Sequence, residues 1–157
     1  MDRPGWDEYF MTIAHDVACR ANCSRRKVGA IIVKGRSIVS TGYNGTPMGV
    51  RNCFDGGCLR CASTVASGQA YDTCICVHAE ANAMLLAARH GTAIDGSILY
   101  STLRPCFGCL KESIQAGIKE IVYDVDMPYQ DELEEAYQGL RQEAGIGMRR
   151  IERVTKP

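Results

Sequence analysis

The stretch "SILYSTLRPCFGCLKESIQAGIKEIVYDV" (97–125) contains a strand-like, a helix-like and a second strand-like pattern in succession. "SILYST" (97–102) and "KEIVYDV" (119–125) are rich in β-branched and apolar residues, so we expect two strands. Between them, "PCFGCLKESIQAG" (105–117) begins with proline and ends with glycine, which is typical of helix boundaries. A strand, a helix and a second strand in this order predict a right-handed parallel crossover.

The rest of the chain adds elements on both sides of this unit. An amphipathic helix opens the sequence, and two strands joined by a hairpin turn follow it. The order α-β-β-loop-α-β-α-β-α-β predicts an α/β fold, with one mixed five-stranded sheet and helices on both faces, in three α/β/α layers. The predicted positions are the helix carrying Trp6, Tyr9, Phe10, Ile13, Ala14 and Val17, the strands 28–33 and 37–43 with Gly35 in their turn, the helices 78–91 and 131–145, and the strand 147–154.

Length and charge exclude several classes of protein. At 157 residues the chain is expected to form one domain, 1–157. Its 18 basic and 18 acidic residues balance, which gives no support for a large nucleic-acid-binding surface. No apolar run approaches the roughly 20 residues that span a bilayer, and "MDRPGWDEYF" (1–10) lacks the pattern of a secretory signal. We therefore expect a cytoplasmic protein with no membrane segment, for which nucleic acid is not favoured as a partner.

Cysteine is unusually frequent in the sequence. There are nine cysteines and no export signal, and since disulfides are rare in a reducing cytosol, metal binding or catalysis is the expected use. From 44 to about 77 the periodic pattern is lost, over a stretch longer than the roughly 15 residues found in most structureless loops. We predict that a metal orders this loop insertion, which contains Cys53, Cys58, Cys61, Cys74 and Cys76.

Two of the remaining cysteines lie three residues apart in "PCFGC" (105–109). Positions i and i+3 share a helix face, so both sulfurs point at one spot. The free N–H groups of a helix start favour the thiolate form. The pair suits a zinc site and equally a thioredoxin-like redox motif, and the pair alone does not decide between them.

The sequence "HAE" (78–80) favours zinc. His78 and Glu80 lie at the start of the preceding helix, and successive helix starts of such a fold meet at one end of the sheet. His78, Cys106 and Cys109 would supply three zinc ligands and leave the fourth position to water, as catalytic sites require. Glu80 would stand beside that water as a proton acceptor. The motif H-x-E followed by P-C-x-x-C is a signature of zinc-dependent nucleobase deaminases.

Longer sequence motifs extend the match to the deaminase signature. The chain resembles the cytidine deaminase-like superfamily and, within it, the deoxycytidylate (dCMP) deaminases, over nearly its whole length. Competence-associated deaminase-like proteins share many of the same sequence motifs. The resemblance implies a cytidine deaminase-like α/β/α fold, and the matching pieces are "GWDEYFM", "CSRRKVGAIIV", "TGYNGTPMG", "HAEANAM", "STLRPCFGC" and "IQAGIKEIVY".

The resemblance implies a zinc hydrolase of pyrimidine nucleotide metabolism that converts dCMP and water to dUMP and ammonia. A catalytic Zn²⁺ would be held by the three ligands named above, with Glu80 moving protons. Thr102 and Leu103 are expected in the pocket lining, because they directly precede the cysteine pair. The implied substrate contacts are the backbone of Ala79 for the base, Asn44 for the sugar, and Ser24, Arg25, Arg26 and Lys27 as candidates for the 5′-phosphate.

The resemblance also implies a structural Zn²⁺ that closes the cysteine-rich loop. Cys61 and Cys76 lie close enough to the implied ligands to substitute for two of them. Cys19, one helical turn before the first of these ligands, is expected in the core. The four implied ligands are Cys23, Cys53, Cys58 and Cys74.

Members of the family are commonly homo-oligomers, and the resemblance favours a hexamer activated by dCTP and inhibited by dTTP. The same chemistry on another cytosine nucleoside or nucleotide stays an alternative, as does a competence-associated protein without dCMP activity. A thioredoxin-like oxidoreductase is the least favoured interpretation. The effector site implied by the resemblance comprises Gly42, Tyr43, Asn44 and Gly45.

Overall fold

A mixed sheet of five strands organises the part of the chain that the computed structural model describes, residues 3–151. Five helices and two short 3-10 turns, Cys53–Asp55 and Tyr71–Thr73, accompany it in this range. The elements are α1 (Trp6–Ala18), β1 (Gly29–Lys34), β2 (Ser37–Tyr43), α2 (Leu59–Ala62), α3 (Ala79–Arg89), β3 (Ile98–Leu103), α4 (Phe107–Gln115), β4 (Glu120–Val125), α5 (Asp131–Ala144) and β5 (Gly147–Arg150).

The predicted helices and strands are confirmed, and their ends shift by a few residues. The short helix α2 lies inside the loop 44–77, where no regular element was predicted. The predicted last strand, 147–154, is observed as β5, and its residues 152–154 lie outside the described residues. No helix among residues 3–151 combines the length and the apolar composition that crossing a membrane would need.

The strand order is β2-β1-β3-β4-β5. β1 pairs antiparallel with β2 and with β3, whereas β3, β4 and β5 are parallel to one another. Gly35 and Arg36 join β1 to β2, and their positive φ angles of 55° and 65° are those of a tight hairpin turn. α4 and α5 connect the parallel strands, so the parallel crossover predicted over 97–125 is confirmed.

Alternating side chains of the strands build one apolar core on each face of the sheet. In β1, Ile31 and Val33 face α1, whereas Ala30 and Ile32 face the opposite side. The predicted α/β/α layering is therefore confirmed. Towards the first face α1 contributes Phe10, Met11 and Ala14, and towards the second face α3, α4 and α5 contribute Ala79, Ala83, Met84, Leu110 and Tyr137.

Two glycines allow the helices to approach the sheet closely. A Cβ atom on Gly29 would lie 2.1 Å from the carbonyl oxygen of Ala14 in α1. On the other face, a Cβ atom on Gly42 would lie 2.2 Å from the carbonyl oxygen of Ala79 in α3. Since the clashing atoms are helix backbone, a side chain at Gly42 would displace the first turn of α3, which carries the "HAE" motif.

We expect Gly42→Ala to lower the free energy of unfolding by about 3 kcal/mol, because the added methyl group meets backbone that cannot give way. Gly139 is the matched control: it is exposed in α5, with nothing within 4 Å of its added Cβ. Gly139→Ala should raise the free energy of unfolding by about 0.5–1 kcal/mol, since alanine is the better helix former. Urea denaturation of both variants checks this, and equal stability of the two would contradict it.

Candidate active site and cysteine cluster

The starts of α3 and α4 form the candidate active site. His78 is the N-cap residue of α3, and Cys106 is the N-cap residue of α4. The Cys106 sulfur accepts a hydrogen bond from the backbone N–H of Cys109, at 3.5 Å. A helix start carries unpaired N–H groups and the positive end of the helix dipole, so it stabilises a thiolate there.

The three predicted ligands of the catalytic zinc lie together. His78 Nδ1 is 3.3 Å from the Sγ of Cys106 and 3.5 Å from the Sγ of Cys109. In a tetrahedral zinc site, bond lengths of about 2.05 Å to nitrogen and 2.3 Å to sulfur separate these atoms by about 3.6 Å. The three side chains therefore have the spacing that one zinc ion needs, and three protein ligands leave a fourth position for water.

The pKa values of these three side chains differ from their ordinary values. The pKa of the Cys106 thiol falls to about 4, because its sulfur takes hydrogen bonds from Cys109 and His78 despite burial. The interaction with Cys106 and burial both raise the pKa of the Cys109 thiol above its ordinary value. The hydrogen bond to Cys106 also raises the pKa of His78, against the effect of burial. The two pKa shifts therefore favour a thiolate at Cys106 over one at Cys109.

Glu80 lies buried beside this group, with 4% of its surface exposed. The Ser101 hydroxyl donates a hydrogen bond to Glu80 Oε1 at 3.1 Å. Burial raises the pKa of the Glu80 carboxyl above its ordinary value, which suits a group that must accept and release protons near neutral pH. Among the described residues, the metal-compatible group at this site comprises His78, Cys106 and Cys109 without Glu80.

Two neighbours of the site were missed by the sequence reasoning. Ser101 lies two residues after Leu99 in β3, so both face α3, and a buried serine at such a position signals a polar partner. The ring of Tyr71 lies 6.3 Å from that of His78 in an edge arrangement, and the buried Arg60 guanidinium lies 4.7 Å from the Tyr71 ring. Tyr71 is in the aperiodic loop, where no pattern pointed to it.

Three of the predicted substrate-binding residues are built into the fold. Asn44 is buried, accepts a hydrogen bond from the Val28 N–H at 2.8 Å and donates one to the Arg26 carbonyl at 2.8 Å. Its amide group carries a second N–H that can also donate a hydrogen bond. Thr102 Oγ1 accepts a hydrogen bond from the Gly29 N–H at 3.1 Å. Ala79 is fully buried as the first residue of α3.

The four predicted phosphate-binding candidates, Ser24 to Lys27, are exposed but differ in their contacts. The Ser24 N–H and hydroxyl lie 3.4 Å and 3.5 Å from the sulfur of Cys53. The Arg25 guanidinium donates to the loop carbonyls of Cys61, Ser63 and Val65. By contrast, Arg26 contacts the thioether of Met127, and the Lys27 Nζ atom lies 5.7 Å from the Phe54 ring.

The predicted effector residues lie where β2 meets the start of α3. Gly45 exchanges two backbone hydrogen bonds with Val77, at 3.1 Å and 2.8 Å. The Asn82 side chain of α3 donates to the Tyr43 carbonyl at 2.7 Å. These bonds, with the close packing of Gly42, give the segment a role in positioning α3. An effector role for Gly42, Tyr43, Asn44 and Gly45 stays a prediction.

Six cysteines form a second group, here called the six-cysteine cluster. The structure places Cys23 and Cys53 in one four-sulfur group, and Cys58 and Cys74 in another, so it divides the predicted structural set. Both groups are completed by the same two residues, Cys61 and Cys76. In the cluster, burial opposes ionisation of Cys58, but the N–H groups of Cys61 and Ile75 lower its pKa to about 6. The cluster comprises Cys23, Cys53, Cys58, Cys61, Cys74 and Cys76.

Cys19 does not belong to the cluster. It follows α1 directly and is exposed, with its sulfur 3.7 Å from the His15 carbonyl oxygen. The prediction that it lies in the core is wrong, because this position caps the carboxyl end of α1 and is exposed. All nine cysteines are free thiols in the structure.

Arg104 links α5 to the turn that carries Cys106. It is buried, its guanidinium lies 4.1 Å from the Tyr137 ring, and it donates two hydrogen bonds to the Glu134 carboxylate at 2.9 Å and 3.0 Å. Asp126 lies at 3.4 Å as a second acidic partner. The Tyr137 hydroxyl donates to the Pro105 carbonyl at 2.9 Å. These bonds stabilise the backbone just before the cysteine pair.

A zinc-compatible His-Cys-Cys group beside a buried glutamate, on a three-layer α/β/α fold, defines the class of zinc-dependent deaminases. Residues 4–125 match the family described as the cytidine and deoxycytidylate deaminase zinc-binding region. The match covers well over half of the chain. The chain belongs to this family.

Individual relatives agree with this assignment. Deoxycytidylate deaminase of Schizosaccharomyces pombe is 49% identical over 121 residues, which is 77% of this chain but only 37% of that protein. ComE operon protein 2 of Bacillus subtilis is 38% identical, over 97% of this chain and 74% of that protein. The crystal structure of dCMP deaminase from the cyanophage S-TIM5, in complex with dCMP and dUMP, has a TM-score of 0.73 and 32% identity, over 96% of this chain and 100% of that chain.

The Arg104–Glu134 pair yields a pH-dependent prediction. Burial opposes ionisation of Glu134, but hydrogen bonds from Gln138 and Arg104 outweigh it and keep its pKa below the ordinary 4.5. A carboxylate with a lowered native pKa stabilises the fold above its ordinary pKa, and this contribution is lost as the pH falls through the native pKa. Glu134→Gln should therefore lower the free energy of unfolding by about 2 kcal/mol at pH 7, since Asp126 stays as a partner of Arg104.

The difference between wild type and Glu134→Gln should shrink as the pH falls below 4.5. Urea denaturation across this pH range measures it. Glu135→Gln, at an exposed position of the same helix, is the control and should change stability little at any pH. A Glu134→Gln effect that stays constant down to the acid limit would contradict the ion pair as its cause.

Proposed function

We propose that the protein catalyses the zinc-dependent hydrolytic deamination of dCMP to dUMP and ammonia. The observation that carries this proposal is the convergence of His78 Nδ1 with the sulfurs of Cys106 and Cys109 beside the buried Glu80. The relatives add the substrate class, since the S. pombe protein is a deoxycytidylate deaminase and the cyanophage enzyme was solved with dCMP and dUMP.

In this proposal, His78, Cys106 and Cys109 would hold a zinc ion, which would lower the pKa of a water molecule to about 7 and so make a nucleophile available near neutral pH. Glu80 would accept a proton from the attacking water and pass it to N3 of the cytosine ring, while the water oxygen attacks C4. Glu80 then transfers the second water proton to the departing amino group, so that dCMP and water give dUMP and ammonia. Ser101 holds one Glu80 oxygen by its hydrogen bond, which orients the carboxylate.

Glu80→Gln tests this role. We expect turnover to fall by about 10²–10⁴-fold or more, since glutamine cannot accept the water proton, while zinc stays bound. Ammonia release and the zinc content of the same sample are the two measurements. Ser101→Ala is the control for position, because it keeps the carboxylate and should lower turnover less. Loss of zinc from Glu80→Gln would contradict the assignment of Glu80 as a non-ligand.

For the substrate contacts we propose that Arg26 and Lys27 bind the 5′-phosphate. Their charged groups are exposed, whereas Ser24 and Arg25 have their polar groups on the cysteine-rich loop. The second amide N–H of Asn44 would donate a hydrogen bond to the sugar, and the backbone of Ala79 would contact the base. Thr102 and Leu103 would line the pocket.

A substrate panel tests the identity of the substrate. Ammonia release is measured with dCMP, CMP, deoxycytidine and cytidine, each with and without dCTP. We expect dCMP to be the preferred substrate, because charge-assisted hydrogen bonds from two cations to the 5′-phosphate favour a nucleotide over a nucleoside. Turnover of deoxycytidine without turnover of dCMP would overturn the proposal in favour of another cytosine nucleoside or nucleotide.

The second candidate is a competence-associated protein without dCMP activity. The similarity to ComE operon protein 2 over 97% of this chain favours it. A protein without deaminase activity would not need Glu80. The presence of this buried carboxylate beside His78, Cys106 and Cys109 therefore argues against the second candidate. Zinc-loaded protein that turns over none of the four compounds would support this candidate.

We also propose a homo-oligomer, with a hexamer implied by the resemblance, that responds to dCTP and dTTP through the segment Gly42 to Gly45. Leu85, Leu86 and Met48 are exposed apolar residues, and Arg89 of α3 contacts the Met48 sulfur at 3.4 Å, so one apolar surface is available for another subunit. Nine free cysteines fit a reducing compartment, so we place the protein in the cytoplasm.

The loop 44–77 is proposed to be a metal-ordered insertion within one domain, 1–157. At least one structural zinc would bind at the six-cysteine cluster, in addition to the catalytic zinc. Two short 3-10 turns and the four-residue α2 are its regular elements, so metal–thiolate bonds would supply the stability that regular structure does not.

A further inference from the structure

We propose that the six-cysteine cluster binds two zinc ions, which share Cys61 and Cys76 as bridging ligands. Together with the catalytic ion, the protein would then hold three zinc ions per chain. This inference concerns the loop and does not rest on the substrate proposed above.

The composition of the two four-sulfur groups is the first support. In each group, the four sulfur atoms all lie within 4.8 Å of one another. The two groups have two members in common, so the six sulfurs form two four-sulfur groups that share Cys61 and Cys76. Within residues 3–151, the first group is Cys23, Cys53, Cys61 and Cys76, and the second is Cys58, Cys61, Cys74 and Cys76.

The sulfur–sulfur distances fit zinc coordination. Cys61 Sγ lies 3.9 Å from Cys23 Sγ in the first group and 3.9 Å from Cys74 Sγ in the second. Cys58 Sγ lies 3.9 Å from Cys74 Sγ. Four sulfurs at about 2.3 Å from one zinc are about 3.8 Å apart, whereas a disulfide would bring two of them to about 2.05 Å. The observed separation therefore matches the edge of a zinc tetrahedron in both groups.

A single zinc would leave two sulfurs without a metal. In the first group it would leave Cys58 and Cys74, and in the second it would leave Cys23 and Cys53. Two divalent ions with six thiolates carry the same net charge as one ion with four thiolates, minus two, because each added ion compensates the two thiolates added with it. Two ions therefore employ every sulfur with no larger buried charge.

The packing of the loop gives an independent reason. The buried residues that form its core are the four cysteines Cys23, Cys53, Cys58 and Cys61, and the residues packed against them are Cys74 and Cys76. This core contains none of the large aliphatic or aromatic side chains that stabilise the two faces of the sheet. A loop core made of sulfur alone is expected where metal–thiolate bonds replace apolar packing.

The surroundings of the cluster supply further support for the thiolates and their backbone. Ser24 contacts the Cys53 sulfur with both its N–H and its hydroxyl group, as is common around metal-bound sulfur. Arg25 donates to the carbonyl of Cys61 at 3.1 Å, and thereby holds α2 against the segment that carries Cys23. Arg60 donates to the carbonyl of Gln69 at 2.9 Å, and thereby holds α2 against the later part of the loop.

One bridging ligand connects the cluster to the active site. Cys76 lies two residues before His78, and the residue between them, Val77, pairs with Gly45, which lies two residues after the end of β2. A metal bond at Cys76 would thus fix the backbone that presents the catalytic ligand. The cluster is expected to position His78 in addition to ordering the loop.

Metal analysis of the full-length protein, purified with reductant and loaded with zinc, tests the proposal. We expect three zinc ions and no iron per chain in wild type. His78→Ala should hold two ions, and Cys19→Ser, which alters a cysteine outside the cluster, should keep three. The difference between wild type and His78→Ala reports the catalytic site, and the ions that stay in His78→Ala report the cluster. A failure of the proposed catalytic site is therefore distinguishable from a failure of the cluster.

The bridging arrangement is tested without any variant. In cadmium-113 NMR of the fully substituted protein, we expect two resonances with a mutual scalar coupling through the bridging sulfurs, and a third without it. Alkylation of the folded zinc protein should modify Cys19 alone. One ion in the cluster, two uncoupled cluster resonances, or alkylation of two cluster cysteines would each overturn the proposal. Neither measurement needs a variant of a bridging cysteine, such as Cys61→Ser, which could fail to fold.

Discussion

The approach of α3 to the sheet is the constraint on which the active site depends. Gly42 lets the carbonyl of Ala79 come so close to β2 that a methyl group has no room. This contact fixes the start of α3, and the parallel β3–α4 connection fixes the start of α4 at the same end of the sheet. His78 then lies 3.3 Å from the Cys106 sulfur, although 28 residues separate the two along the chain. A zinc site requires this spacing, and the packing of α3 and α4 against the sheet provides it.

The active site is stabilised by polar groups from three other elements. Ser101 of β3 holds the Glu80 carboxylate, and Arg104 joins the turn before Cys106 to Glu134 of α5. Each of these groups is buried or half-buried, so its hydrogen bonds are stronger than they would be in water. The zinc-compatible group and Glu80 are therefore held by hydrogen bonds from the sheet and from α5.

The cysteine-rich loop is stabilised by different means from the rest of the fold. Aliphatic and aromatic side chains fill both faces of the sheet, whereas six sulfurs form the core of the loop. Because the loop reaches His78 through Cys76 and Val77, the packing of the six-cysteine cluster and the position of His78 are physically connected. The same loop carries Tyr71 to the His78 ring and Arg60 to Tyr71, so the surface around the site also depends on it.

The sequence by itself determined the fold class, the order of the elements and the family. The signals used were local ones: the period-two and helical patterns, Pro105 and Gly117 at helix ends, and the motifs "HAE" and "PCFGC". Such signals can be recognised without a structure because they depend on local backbone preference and on spacing along the chain. Only the tertiary structure decided which cysteines share a site, that Cys19 is exposed, that Arg25 serves the loop, and that Ser101 holds Glu80. Those facts depend on contacts between residues far apart in the chain. In an aperiodic loop, spacing along the sequence does not fix distance in space, so six cysteines could be paired in several ways until the packing placed them.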